Sequence, residues 1–122
     1  MSYHVIDPSE VEPLANPDRE LRPIGRAFGF ETLGLNHFEA DPGGQIPLEY
    51  HSHEQQEEAF FVVDGTIHVE TPAETFVVDA GQYVGIEPGN PHRAYVPDDA
   101  DGPATVVAVG APQVDDVQVY DP

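Results

Sequence analysis

From Phe28 onward, apolar and polar residues alternate with a period of two over short stretches, which is the pattern of strands with one buried face. Leu33, Leu35 and His37 alternate with Gly34, Asn36 and Phe38, and the run stops at Asp41-Pro42-Gly43-Gly44, a strong turn signal. A second strand reads over 46–53. A third covers 58–63 and ends at Asp64-Gly65, a pair that favours a tight hairpin turn. Residues 66–70 alternate cleanly, Thr71-Pro72-Ala73-Glu74 turns the chain, and 75–78 form the next strand. Asp79-Ala80-Gly81 precedes a strand over 82–86, and the turn cluster Glu87-Pro88-Gly89-Asn90-Pro91 leads into one over 92–96. After an acidic loop over 97–103 come a strongly apolar strand over 104–109 and a short edge over 115–120. Strands at roughly ten-residue spacing, with no amphipathic helix of length, predict an all-β barrel or sandwich.

Residues 1–27 break this pattern. They are proline-rich, mixed in charge and weakly periodic, with one helical turn expected at Pro8 to Glu12. We read them as an arm lying on the body, residues 28–122, or on a partner subunit. Arg19, Arg22 and Arg26 sit there and are expected to pair with nearby carboxylates. A chain of 122 residues suits one domain, and a core of that size is helped by closure of the sheet or by a partner. A homodimer with contacts from the arm is therefore expected.

Composition removes several chemistries. The chain has no cysteine, which excludes disulfides, thiolate metal sites and cysteine nucleophiles. It has no lysine either, so Schiff-base chemistry and a lysine phosphate loop are excluded. Twenty-three acidic residues against four arginines give a net charge of -19, a surface that repels nucleic acid. We read that charge, with the missing lysines, as adaptation to a halophile's molar salt, where charges are screened within about 3 Å. The N-terminus lacks the basic and apolar segments of a signal peptide and no run is long enough to span a membrane, so a cytoplasmic location is expected.

Histidine placement supplies the candidate chemistry. His51 and His53 are two apart, so on a strand they point the same way. Glu58 follows after a turn, and His92 arrives from a distant strand just past the Pro-Gly cluster. Three imidazoles and a carboxylate suit one divalent first-row metal, Fe, Mn, Ni, Zn or Cu.

These residues resemble the motifs of the cupin superfamily, in particular its small single-domain members. The first motif, G-x5-H-x-H-x3,4-E-x6-G, is met by Gly44, His51, His53, Glu58 and Gly65, with one extra residue before His51. Glu57 is the rival carboxylate. The spacing to Gly65 and the shared parity with Phe60 and Val62 favour Glu58. The second motif, G-x5-P-x-G-x2-H-x3-N, is met by Gly81, Gly89 and His92, while Glu87 replaces the proline and Val96 the asparagine. The resemblance covers residues 33–109. It implies a jelly-roll barrel with a metal near its centre on His51, His53, Glu58 and His92. Tyr83, Val96 and His37 are further candidates for the pocket wall. The reading is a metal-binding small cupin acting on a small organic molecule, as a dioxygenase or as a Lewis-acid isomerase or lyase. A non-catalytic metal- or small-molecule-binding domain is the alternative. Without a helical domain or a basic pocket strand, a DNA-binding regulator and a sugar-phosphate isomerase are disfavoured.

Overall fold

A computed structural model describes residues 3–14, 16–47 and 49–122. The chain runs through β1 (Glu20–Arg22), α1 (Ile24–Phe28), β2 (Gly34–Ala40), β3 (His51–His53), β4 (Glu57–Asp64) and β5 (Thr66–Glu70). It continues with β6 (Thr75–Asp79), β7 (Tyr83–Ile86), β8 (Arg93–Tyr95), β9 (Ala104–Ala111) and β10 (Val117–Val119). The all-β class holds, but the expected jelly-roll barrel does not form. The strands build three separate sheets, in the orders β1-β2-β9-β4-β7, β6-β5-β8 and β10-β3, and none of them closes on itself.

The interruptions have a local cause. The strand expected over 46–53 contains Pro47, and its partner segment begins at Pro91; neither residue has an N–H to give to a ladder. Among the described residues, that stretch therefore meets the segment 92–95 only at isolated bridges, Gln45 to Tyr95 and His51 to His92. Leu48, inside the expected strand, lies outside the described residues, as do Met1, Ser2 and Ala15. On the other side, β7 ends the five-stranded sheet and β6 ends the three-stranded one. The short turn between them, with Gly81 at φ 85°, carries the chain from one sheet to the other.

Strand parity decides what is buried. Phe38 and Ala40 of β2, Phe60 and Val62 of β4, and Ala104, Val106 and Ala108 of β9 point inward. There they pack with Ile67, Val69, Val78, Ala94 and Val96 in one core. A fully buried side chain such as Ile67 or Val62 contributes roughly 1.5–3 kcal/mol by leaving water.

Residues 1–27 contain more regular structure than their sequence predicts. Asp7 caps a 3-10 turn at Pro8–Glu10, close to the expected helical turn, and β1 pairs with β2 in antiparallel register, Leu21 opposite Phe38. Helix α1 ends at Gly29, whose φ of 83° suits a residue without a Cβ. Arg22 donates mainly to backbone, at 2.7 Å to the Val11 carbonyl and 3.2 Å to that of Pro8. The Arg19 guanidinium stacks 5.4 Å over the Phe38 ring. Among the described residues, no helix is long and apolar enough to cross a membrane.

Candidate metal centre

His51 and His53 occupy alternate positions of β3, so their rings leave the strand on one face. Both are buried, as is His92. Strand β10 holds β3 on one edge, with Val119 opposite His51 and Val117 opposite His53. On the other edge the His51 N–H donates to the His92 carbonyl at 3.0 Å, and the His92 N–H returns the bond at 2.8 Å. The turn before His92 is docked as well: Gly89, at φ 84°, donates its N–H to the His53 carbonyl at 2.7 Å. Glu58 enters from β4, on the inward side with Phe60 and Val62. Glu57, one position earlier, is exposed on the opposite side.

Each imidazole is oriented by an oxygen behind it. Nδ1 of His51 lies 2.7 Å from the Glu49 carbonyl, that of His92 2.9 Å from the Asn90 carbonyl, and that of His53 2.8 Å from Asp116 Oδ1. Carbonyls and carboxylates only accept, so every Nδ1 donates and every Nε2 keeps its lone pair for the interior. These lone pairs converge on Glu58. His92 Nε2 is 2.9 Å from Glu58 Oε1, His53 Nε2 is 3.7 Å from Glu58 Oε2, and His51 Nε2 is 3.2 Å from His53 Nε2. One donor atom each from His51, Glu58 and His92 lies within 4.8 Å of the others. A proton can relieve only one such contact at a time, whereas a divalent cation satisfies several donors together. The buried His-His-Glu cluster therefore fits a mononuclear metal. Imidazole and carboxylate donors without thiolate suit first-row divalent ions.

Electrostatics point the same way. Burial, more than any other influence, pushes the His51 pKa below its ordinary value, and the neighbouring imidazoles of His92 and His53 add to it. A neutral His51 is the form that can ligate. Burial alone would raise the Asp116 pKa, but the bonds from His53 and from the Gln55 and Gln56 N–H groups outweigh it and lower the pKa to about 2. Those backbone bonds measure 2.7 and 2.8 Å.

Asp116 is the part of the site that sequence reasoning missed. The stretch 115–120 reads only as an edge strand, and 63 residues separate Asp116 from its partner His53. Val96 is fully buried in the core. Tyr83 and His37 lie on the outer sides of their strands, because Val84 and Ile86 of β7, and Phe38 and Ala40 of β2, take the inward parity. Tyr83 is 74% exposed and stacks on Phe61, while His37 sits 3.7 Å from Glu39. Neither reaches the cluster. Beside it, a cleft of about 420 Å³ opens between β6 and β7. It reaches His92 and is walled by Val69, Phe76, Val84 and Ile86, with Glu74 and Glu87 among its lining.

The profile of the cupin domain matches residues 36–110, more than half of the chain. The chain belongs to the cupin family. No curated protein sequence matches this cupin, whereas many solved structures share its fold. The polyketide cyclase RemF from Streptomyces resistomycificus is 20% identical, with a TM-score of 0.79 over 98% of this chain and 87% of that one. A cupin-superfamily sugar phosphate isomerase from Silicibacter pomeroyi is 22% identical, with a TM-score of 0.76 over 88% of this chain and 75% of the other. A predicted oxalate decarboxylase from Thermotoga maritima is 16% identical, with a TM-score of 0.74 over 88% and 98% of the two chains. At these identities the likeness is one of fold.

Proposed function

We propose that this cupin is a mononuclear metal enzyme acting on a small, partly apolar organic substrate, with the ion held by His51, His53, Glu58 and His92. The observation that supports the reading is the outward commitment of all three Nδ1 atoms, beside a group of His51, Glu58 and His92 donor atoms within 4.8 Å of one another; His53, outside that group but 3.2 Å from His51 Nε2, would join as the fourth ligand. When bound, the ion would supply Lewis-acid polarisation or, if redox-active, dioxygen chemistry. The protein's own share is the walls. Buried Phe60 packs against His92, with ring centroids 6.5 Å apart, and closes that side of the cluster to bulk water; Val69, Val84 and Ile86 give the open cleft its apolar wall. The cleft would orient an apolar body against His92. Dioxygenation and isomerase or lyase chemistry both fit this donor set.

The cleft's acidic groups, Glu74 and Glu87, are exposed. A domain that binds a small molecule without turning it over is the second reading. The proposal also includes a homodimer, supported by the exposed apolar side chains of Val5, Val77 and Tyr83, and a halophilic, cytoplasmic setting, supported by the net charge of -19. The test of catalysis is an oxygen-uptake screen of the Fe(II)-loaded protein with catechols, diketones and thiols, read beside nitric oxide binding. Uptake with one class supports the dioxygenase form. No uptake together with no nitric oxide adduct contradicts it.

A further inference from the structure

On the β9 and β2 side of Glu58 the sheet row carries no side chain. Across it run Gly34 of β2, Gly110 of β9, Glu58 of β4 and Ile86 of β7, and the next row pairs Asn36 with Ala108. This leaves a chamber of about 110 Å³ against Glu58, lined also by Asn36, Gln56 and Gln113. Liquid water takes about 30 Å³ per molecule, so the chamber holds a group of a few heavy atoms.

The glycines make room for amides. A Cβ on Gly110 would stand 2.5 Å from Gln56 Oε1, and one on Gly34 would stand 3.3 Å from Gln113 Oε1. Gln56 is pinned from two sides: its N–H donates to Asp116 at 2.8 Å and its Nε2 to the Pro112 carbonyl at 3.2 Å. Its Oε1 remains an acceptor beside the chamber. The Asn36 and Gln113 side chains make no hydrogen bond to another described residue, and each brings both a donor and an acceptor. Glu58 is the one charged residue of the lining. The lining holds no cationic side chain, so apart from the proposed ion nothing there would repay the desolvation of a second anionic group beside Glu58.

Resting on the metal reading above, we propose that this chamber is a polar subsite of the metal centre that takes a neutral hydrogen-bonding group, such as an amide, ketone or hydroxyl. Asn36, Gln56 and Gln113 recognise that group, and they select against substrates bearing a phosphate or a second carboxylate at this end. The test uses the Co(II)-loaded full chain, whose visible spectrum reports ligand binding. It is titrated with acetohydroxamic acid, which chelates as a monoanion and keeps a neutral N–H group beyond the chelating oxygens, and with oxalate, a dianionic chelator of similar size. Asn36→Leu and Gln113→Leu should each weaken acetohydroxamic acid by about 5- to 30-fold and leave oxalate unchanged. Gly110→Ala, by displacing the Gln56 amide, should act in the same direction. Unchanged oxalate affinity also reports that each variant is folded, and Gln113, exposed at the rim, is the variant least able to disturb the fold. Equal losses for the two probes, or no loss for acetohydroxamic acid, overturn the proposal. A wild-type protein that shows no Co(II) band overturns the metal reading and the subsite with it, a distinct result.

Discussion

One oxygen of Asp116 decides which nitrogen of His53 faces the cluster. The other accepts two backbone N–H groups, so the carboxylate ties the 54–56 turn, His53 and the start of β10 into one unit. Asp116→Asn keeps the shape but places an NH2 group against a donor, either the His53 Nδ1–H or the two backbone N–H groups. Metal affinity should fall about 10- to 100-fold in a calorimetric titration, and an unchanged affinity would remove Asp116 from the site. The ligand candidates were legible because His-x-His fixes two rings on one face whatever the rest of the fold does. Asp116 was not legible, because its role depends on the register of β10 on β3, and that register has no local signature. Tyr83 and His37 show the reverse problem: their chemistry drew attention, and the parity of their neighbours turned them outward.

Elements were more legible than their assembly. The strand expected over 66–70 is β5 to the residue, and those expected over 58–63 and 104–109 lie within β4 and β9. Arg93 reaches Glu70 at 2.7 Å across β5 and β8, as the parity of His92 requires. The chain does turn at Asp64-Gly65, with Gly65 at φ 81°, but the expected hairpin does not form, because β4 and β5 lie in different sheets and do not pair. A Cβ on Gly65 would stand 2.7 Å from the Pro103 carbonyl and 2.8 Å from Ala104 Cα. Gly65→Ala should therefore cost more than the ~1–2 kcal/mol of the left-handed conformation alone, read as a lowered midpoint in denaturant. A wild-type midpoint would contradict the packing described at that turn. Alternation specifies which face of a strand is buried, but not which edge finds a partner. For that reason the three-sheet arrangement, broken at Pro47 and between β6 and β7, could not be read from periodicity. β1 and α1 were missed because their few residues carry almost no periodicity, and tertiary contact with β2 decides their conformation.

At the scale of the whole molecule, charge dominates. Few cations offset a net charge of -19, and the self-repulsion is screened only when the Debye length falls to a few ångströms. The melting temperature should rise steadily from ~0.05 to ~1 M KCl, where that length drops to about 3 Å; a flat profile would contradict the reading of the acidic surface. Light scattering at high salt should report twice the 13.3 kDa chain mass, and a 13.3 kDa species would contradict the homodimer. Everything said of function depends on the ion, so metal content is the most direct test. After reconstitution at high salt and removal of free metal, the wild-type protein should retain about one equivalent of a divalent first-row ion, while His51→Ala and His92→Ala should retain almost none. Wild-type protein holding less than about a tenth of an equivalent, or histidine variants holding as much as wild type, would contradict the account.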